Sequence, residues 1–462
     1  VSENSVWRAV ILGYVLLHAL LRLTHGSALY WDEAEALFHA RRLEWGYGPQ
    51  PPLYFWLQWG VFRLLGEGRL AVILLRDAVL AGALLALFGL LSREAGPRIA
   101  GVSVLLLGLF PVFSWTTQTF LTHSVLAFLC AVLVTGAMLR LMRAPSRPAA
   151  LTLGVLLGLG TLSKLNFVLW PLALVLAALL LPEWRARLRP GLLALALLPA
   201  GLLVAPYALW AALNPAMAGA SLDSLGLARD GGLDAAADGL LALAQALAAF
   251  GGLCRARPHS RRADRPRAAP DPARTELRPL ARLLLMALVC TVLLIGFAVL
   301  AGGVTNLRER WFLPVGWALA PWLAIRLWPA LEQRGQRALM VLGGGAWAVG
   351  LAAFAMLPLV DPGRAMTDFR PLAERVGAWQ AAGLPVLVDG AITGGNLRLA
   401  APGLDLHLAD PGRWPSGSFL LVMEGQGACL QDLPLRIAQA DQVFVPRGDE
   451  REPFRLCVIG AG

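Results

Sequence analysis

Asp32, Glu33 and Glu35 stand together in the run Tyr30-Trp31-Asp32-Glu33-Ala34-Glu35, directly after an apolar stretch at 7–24. A carboxylate at a membrane boundary is costly to hold unless it has a function or a partner. Ionised and within reach of an acceptor hydroxyl, such a group acts as a general base. A helix beginning near Asp32 places Asp32, Glu35 or Ala36, and His39 on one face. Asp32 is the candidate base, and Glu33 either orients it or holds a substrate hydroxyl. His39 reads as a hydrogen-bonding group in preference to a metal ligand.

The second group with chemical potential is Lys164, the only lysine in the chain; every other basic side chain of that class is arginine. It falls in Ser163-Lys164-Leu165-Asn166 at the end of an apolar run. An ammonium there is expensive unless it meets an anion, and it makes a compact point-charge partner for phosphate. A snorkelling topological lysine is the alternative reading. Carboxylates and cations gathered at one membrane face suit a two-substrate displacement on a lipid-borne phosphate. The carboxylate removes the acceptor proton while cations stabilise the departing phosphate.

The elements that must position these groups are membrane helices. Of 462 residues, 57% are hydrophobic and 15% charged, with a mean hydropathy of +0.62, which is too apolar for a soluble chain of this length. Runs long enough to cross about 30 Å fall near 7–24, 70–91, 98–114, 121–139, 149–163, 166–182, 190–211, 237–254, 281–301, 311–328 and 338–358, about eleven spans. Every second loop is basic: Arg93 and Arg98; Arg140, Arg143 and Arg147; Arg185, Arg187 and Arg189; the run from Arg255 to Arg282; Arg334 and Arg337. The positive-inside rule then predicts a cytoplasmic N-terminus and puts the acidic loop, Thr116 to Ser124, Lys164, the 212–236 segment and Arg308-Glu309-Arg310 outside. The first apolar run reads as a span and not as a cleavable signal peptide. A net charge of +10 located largely in inner loops is topogenic and does not indicate nucleic acid. The Arg255 to Arg282 loop reads as solvated, with contact to anionic headgroups as the lesser alternative.

Beyond Leu359 the composition changes. We expect a transmembrane catalytic domain over 1–359 and a small periplasmic α/β domain over 360–462, with a helix at 371–382 and strands at 385–389, 419–423, 443–445 and 456–459. The closing Gly460-Ala461-Gly462 has no helix after it and is no dinucleotide fingerprint. Cys130, Cys254 and Cys290 fall in or at the ends of spans as small apolar residues. Cys429 and Cys457 share the exterior domain, where a disulfide is allowed. No zinc-type Cys/His spacing occurs.

An apolar first span followed by Asp32-Glu33-Ala34, then Trp45-Gly46-Tyr47 and Pro51-Pro52-Leu53, then Ser163-Lys164 and Glu309-Arg310-Trp311 before a late span, resembles the GT-C superfamily. The resemblance is to its protein-mannosyltransferase-like integral membrane glycosyltransferases, covers about residues 1–330 and is most specific in the first loop. It implies a polytopic α-helical fold and transfer of a sugar from a polyprenyl phosphate carrier, with inversion, to an acceptor outside the cytoplasmic membrane. By the same resemblance Asp32 matches the catalytic acidic residue, Glu33 its neighbour, Lys164 the phosphate-side lysine and Arg310 a second phosphate contact, with Arg76 adding positive charge. Asn166 and Glu35 join the candidate binding set. Tyr47 belongs to a group of aromatics that suit sugar stacking and an interfacial belt equally.

This chain also departs from its relatives. Where many carry an acidic residue at the outer start of the fourth span, it reads Leu121-Thr122-His123-Ser124. Acceptor binding, replacement of the carboxylate and metal ligation are all open to His123. The aminoarabinose branch has an Arg three residues after its Asp and a Glu-Lys before the paired prolines, where Glu35 and Pro49-Gln50 stand here; neither that donor nor its metal site is assigned. Gly-Tyr-Gly-Pro-Gln-Pro-Pro-Leu with Ser-Lys-Leu-Asn-Phe is closer to bacterial lipopolysaccharide-decorating transferases, including those that add galacturonic acid to lipid A. The residues point firmly to no cofactor, and a divalent metal is compatible with them. A lid at 212–236, a protein O-mannosyltransferase, a transporter and an inactive scaffold are the further readings.

Overall fold

The computed structural model describes residues 2–460, apart from 120, 224–225, 227–232, 252–271, 303, 361–365, 411–413, 426–436 and 448–449. Each anticipated apolar run falls on helix among the described residues, but continuous spans are fewer than eleven. Six described helices are long and apolar enough to cross a bilayer: Glu3–Thr24 (α1), Arg69–Ala95 (α4), His123–Arg143, Pro190–Leu213, Leu277–Gly302 and Gln333–Val360. The short helices Trp31–His39 (α2) and Leu53–Leu65 (α3) lie between α1 and α4 in sequence.

Local breaks account for the difference. The Pro97–Leu107 and Val112–Thr119 helices meet at 81°. Gly108 and Pro111 lie between them, and a π turn covers Val112–Thr116, which are recognised causes of a sharp kink. The Arg147–Ser163 helix stops where Lys164 turns extended, at φ −167° and ψ 134°, before a short turn at Leu165–Val168 and the next helix at Leu169–Leu180. Both ends of that break therefore sit beside the lysine singled out above.

The chain forms two compact units, the first made of Val1–Val15, Glu44–Leu53 and Ala78–Leu351. Its helices approach closely where a side chain is missing, as small residues permit in membranes. A Cβ on Gly154 would overlap the Ala196 carbonyl, and Gly108 lies under the Trp347 ring. Trp347 Nε1 donates to the Val104 carbonyl at 3.0 Å, and Trp170 Nε1 donates to Thr135 Oγ1 at 2.8 Å. Leu202, Leu213 and Val341 stay exposed, as expected of surfaces solvated by lipid.

The second unit contains Leu16–Leu43, Tyr54–Asp77 and Ala352–Gly462. Packing therefore groups the acidic part of the first loop, as far as Leu43, with the C-terminal segment. That segment holds strands Val386–Val388 (β1), Leu406–Leu408 (β2), Phe419–Glu424 (β3), Ile437–Arg447 (β4) and Glu450–Ile459 (β5) in the order β2-β1-β3-β5-β4. β1 runs parallel to β2 and β3, whereas β3–β5 and β5–β4 are antiparallel. Helices cover Arg370–Ala381 and Ala391–Ala400. The latter helix and β2 were not anticipated, because Gly394-Gly395 lowers helix propensity and three residues make a weak strand signal. Ala28 and Phe38 join Leu372, Val386, Leu397 and Leu420 in the core of this unit. Cys457 is disulfide-bonded; Cys429, Cys254 and most of the expected Arg255 to Arg282 loop lie outside the described residues, as does part of the 212–236 segment.

Candidate functional site

α2 begins at Trp31, so Asp32 and Glu33 occupy its first turn, where carboxylates favour the helix dipole. Its amphipathic pattern sorts the acidic residues. Asp32, Glu35 and His39 are partly exposed, while Glu33, Ala34, Ala36, Leu37 and Phe38 are buried. Glu33 is fully buried. Its Oε1 accepts from Arg22 Nε at 3.2 Å and from an Arg76 terminal nitrogen at 2.7 Å, and its Oε2 accepts from Arg22 at 2.5 Å. The same Oε2 accepts the Tyr30 backbone N–H at 3.0 Å, tying the carboxylate to the residue that starts the helix. Burial alone pushes the Glu33 carboxyl up, but the Arg22 and Arg76 guanidiniums and the Tyr30 amide bring it down to about 2.

Arg76 is 1% exposed and both terminal nitrogens of its guanidinium are engaged. Besides Glu33 it donates to His18 Nε2 at 3.2 Å and lies 3.8 Å from Asp77, which faces His18 Nδ1 at 3.1 Å. With Nε2 accepting, Nδ1 carries the ring proton toward Asp77. The loop entering α2 is braced as tightly. Arg69 donates to the backbone carbonyls of Arg22, His25 and Gly26. Asn396, on the Ala391–Ala400 helix, accepts from the Leu29 N–H at 2.7 Å and donates to the Leu29 carbonyl at 3.4 Å. Arg398 donates to the Phe38 carbonyl at 2.6 Å, and its guanidinium lies 4.2 Å from the Phe38 ring centroid. A Cβ on Gly395 would overlap the Ala34 carbonyl, so the two helices touch backbone to backbone.

In the first unit the structure brings other candidates together. Lys164 Nζ donates to Ser124 Oγ at 2.6 Å, which sets the lysine beside the N-terminus of the His123–Arg143 helix. His123, 2% exposed, is the first residue of that helix. Asn166 donates its amide to the Trp311 carbonyl at 2.9 Å, linking the Leu165–Val168 turn to the Glu309–Phe312 turn that carries Arg310. Lys164 and Arg310 are both partly exposed. Tyr47 is 4% exposed and its hydroxyl accepts from the Glu44 N–H at 2.9 Å, so the ring is packed inside its own loop. Among the described residues no three His, Cys, Asp or Glu side chains converge to hold a metal ion.

Sequence reading missed Arg22, His18, Asp77, Asn396 and Arg398. The first three did carry a signal, since ionisable residues inside an apolar run mark a polar interior. The two histidines on either side of the acidic turn also differ from ordinary imidazoles. Burial, then the neighbouring Arg22, lowers His25 from 6.5 to about 4; burial, then Arg398, lowers His39 to about 4. Both are neutral in the folded protein at pH 7. As pH falls from about 6.5 toward 4 the unfolded chain takes up these protons first, so stability drops in that window, by on the order of 3 kcal/mol per histidine. Thermal midpoints at pH 7.5 and 4.5 should show this loss, and a double His25→Phe, His39→Phe variant should show less of it. An equal loss in both proteins would remove the histidines from the account.

Residues 49–210 match the family described as dolichyl-phosphate-mannose-protein mannosyltransferase. Over 416 residues the chain is 30% identical to the lipopolysaccharide core galacturonosyltransferase RgtB of Rhizobium johnstonii, covering 87% of this chain and 82% of that one. The chain belongs to this glycosyltransferase family. A second family member from that organism, the lipopolysaccharide core galacturonosyltransferase RgtA, is 29% identical over 91% of this chain and 85% of its own. The solved structure of ArnT from Cupriavidus metallidurans bound to undecaprenyl phosphate superposes with a TM-score of 0.63 at 13% identity, covering 97% of this chain and 98% of that one. The protein is thus a multi-pass helical glycosyltransferase of GT-C fold, as the first-loop resemblance implied.

Proposed function

We propose that this glycosyltransferase moves a galacturonosyl residue from a polyprenyl phosphate carrier to a sugar hydroxyl of the lipopolysaccharide core or lipid A. The observation that carries this reading is the relationship to a core galacturonosyltransferase across 82% of that relative's length. The undecaprenyl phosphate held by the ArnT relative supports the carrier. The arginine-rich loops argue that the reaction faces the periplasm, with the N-terminus cytoplasmic and the 360–462 segment periplasmic.

In this reaction Asp32 takes the proton from the acceptor hydroxyl. The acceptor oxygen forms its bond to the anomeric carbon as the carbon–oxygen bond to phosphate breaks, and the electron pair leaves with polyprenyl phosphate. Attack opposite the leaving group inverts the anomeric centre. Phosphate is already a competent leaving group, so one base and cationic stabilisation suffice. Lys164 and Arg310 supply charge to phosphate, with His123, Glu35 and Asn166 shaping the substrate sites. Glu33 and Arg76 are buried and paired with each other and with Arg22, His18 and Asp77, so we give them a positioning role: they hold the first turn of α2 and with it Asp32.

The test is release of polyprenyl phosphate by the purified protein from galacturonosyl, mannosyl and aminoarabinosyl carriers, each offered a lipopolysaccharide core or a Ser/Thr peptide. Release that needs the galacturonosyl donor and the core acceptor is the expected result. Release with mannosyl donor and peptide would instead make the chain a protein mannosyltransferase. Lys164→Met should lower kcat/KM by on the order of 10²-fold through lost phosphate stabilisation, whereas a snorkelling lysine would leave it unchanged.

A further inference from the structure

A cleft of about 1010 Å³, lined by none of the residues given a role above, opens between the ends of four helices. Its mouth carries Arg8 from α1, Arg93 from α4 and Arg140 and Arg143 from the His123–Arg143 helix, with Glu94 beside them. Glu94 is taken by Arg143 in a two-pronged ion pair. Among the described residues Arg8, Arg93 and Arg140 have no carboxylate within ion-pair distance, and all three are exposed. Behind them the walls turn apolar, through Leu85, Leu90, Val132, Leu133 and Leu156. Missing side chains create the space: Gly89 and Gly136 line the cleft, and no atom stands within 4 Å of a Cβ built on Gly89.

We infer that this cleft seats an anionic phospholipid, with its phosphodiester headgroup among Arg8, Arg93 and Arg140 and an acyl chain along the leucine wall. Charge complementarity and the polarity gradient together select this occupant. A soluble anion has no use for the apolar wall, and a zwitterionic lipid brings no net charge to three unneutralised guanidiniums. Guanidinium is also the side chain best matched to a phosphodiester. Basic pockets between helix ends are the setting in which acidic headgroups are bound. The ordinary alternative is that these arginines snorkel to a generally anionic surface, and that account predicts no dependence on the shape of the cleft.

Native mass spectrometry of the purified full chain, titrated with dioleoylphosphatidylglycerol or dioleoylphosphatidylcholine, distinguishes the two. The wild type should hold phosphatidylglycerol at least about tenfold more tightly. A triple Arg8→Gln, Arg93→Gln, Arg140→Gln variant should lose on the order of 10- to 100-fold of that affinity, given about one unit of interaction per arginine near a headgroup. A control triple, Arg189→Gln, Arg334→Gln, Arg337→Gln, removes the same charge from exposed arginines outside the cleft. It should change affinity less than about threefold. Gly89→Leu keeps every charge and fills the cleft, so it should also weaken binding, and it decides the matter if the arginine triple fails to fold. Equal losses in the two triples, undiminished binding in Gly89→Leu, or no preference between the lipids would each overturn the site.

Discussion

Asp32→Asn should lower acceptor-dependent release of polyprenyl phosphate by about 10³-fold, while thermal stability stays within about 0.5 kcal/mol of wild type. The amide has nearly the shape of the carboxylate but accepts no proton at neutral pH, so the acceptor hydroxyl must attack the anomeric carbon without first losing its proton. Asp32 is partly exposed on the polar side of α2, and its replacement leaves the buried network around Glu33 intact. The loss should appear in kcat, with donor KM little changed, because the carboxylate acts on the acceptor proton. Activity within tenfold of wild type would move the base elsewhere, first to Glu35 on the same face. Stability lost in step with activity would mean that Asp32 is structural.

The opposite pattern is expected one residue along. Glu33→Ala leaves Arg22 and Arg76 buried without their shared carboxylate, which should cost about 3–5 kcal/mol of stability. Transfer activity should fall with it, because the first turn of α2 loses the tie from Glu33 to the Tyr30 amide. Glu33→Gln, which keeps the shape and one acceptor oxygen, should be milder in both respects. Thermal unfolding in detergent beside the release assay separates the two effects. A stable, inactive Glu33→Ala protein would return Glu33 to direct contact with substrate. The acid limit follows from the same pair of charges. A carboxyl held at about 2 contributes stability that is complete above its ordinary value near 4.5 and is lost as pH falls from there through 2.

The residues legible without coordinates were those that broke a local rule. Three carboxylates after an apolar run, a single lysine in an arginine-rich chain, and an apolar run that ends at Ser163 beside that lysine all stand out against their neighbours. Arg22, His18 and Asp77 carried a fainter signal, because each ionisable residue is averaged into a long apolar window; their meaning lies in pairing with one another and with Glu33. The same limit hid Asn396 and Arg398. A helix carrying Gly394-Gly395 scores poorly on propensity, yet the absent side chains are what admit it against the Ala34 backbone. The paired contacts here lie 367 and 360 residues apart, beyond any periodicity that a window can see. Strand β3 and the end of β5 were found because Phe419 to Met423 and Leu456 to Ile459 are unbroken apolar runs, whereas β2 is too short to announce itself.

The grip of Asn396 and Arg398 on α2 has a consequence for how the protein is made. The acidic turn is translated more than 300 residues before the helix that fixes its backbone, a delay matched by the 340-residue separation of Ser27 and its bonding partner Thr367. A nascent or prematurely terminated chain therefore lacks the contacts that hold Leu29 and Phe38 in place. Loop closure over such a distance comes late. Catalytic competence should accordingly appear only once the Ala391–Ala400 helix has been made, so that a product aborted before it and inserted in the membrane is inert toward the cell's lipid-linked sugars.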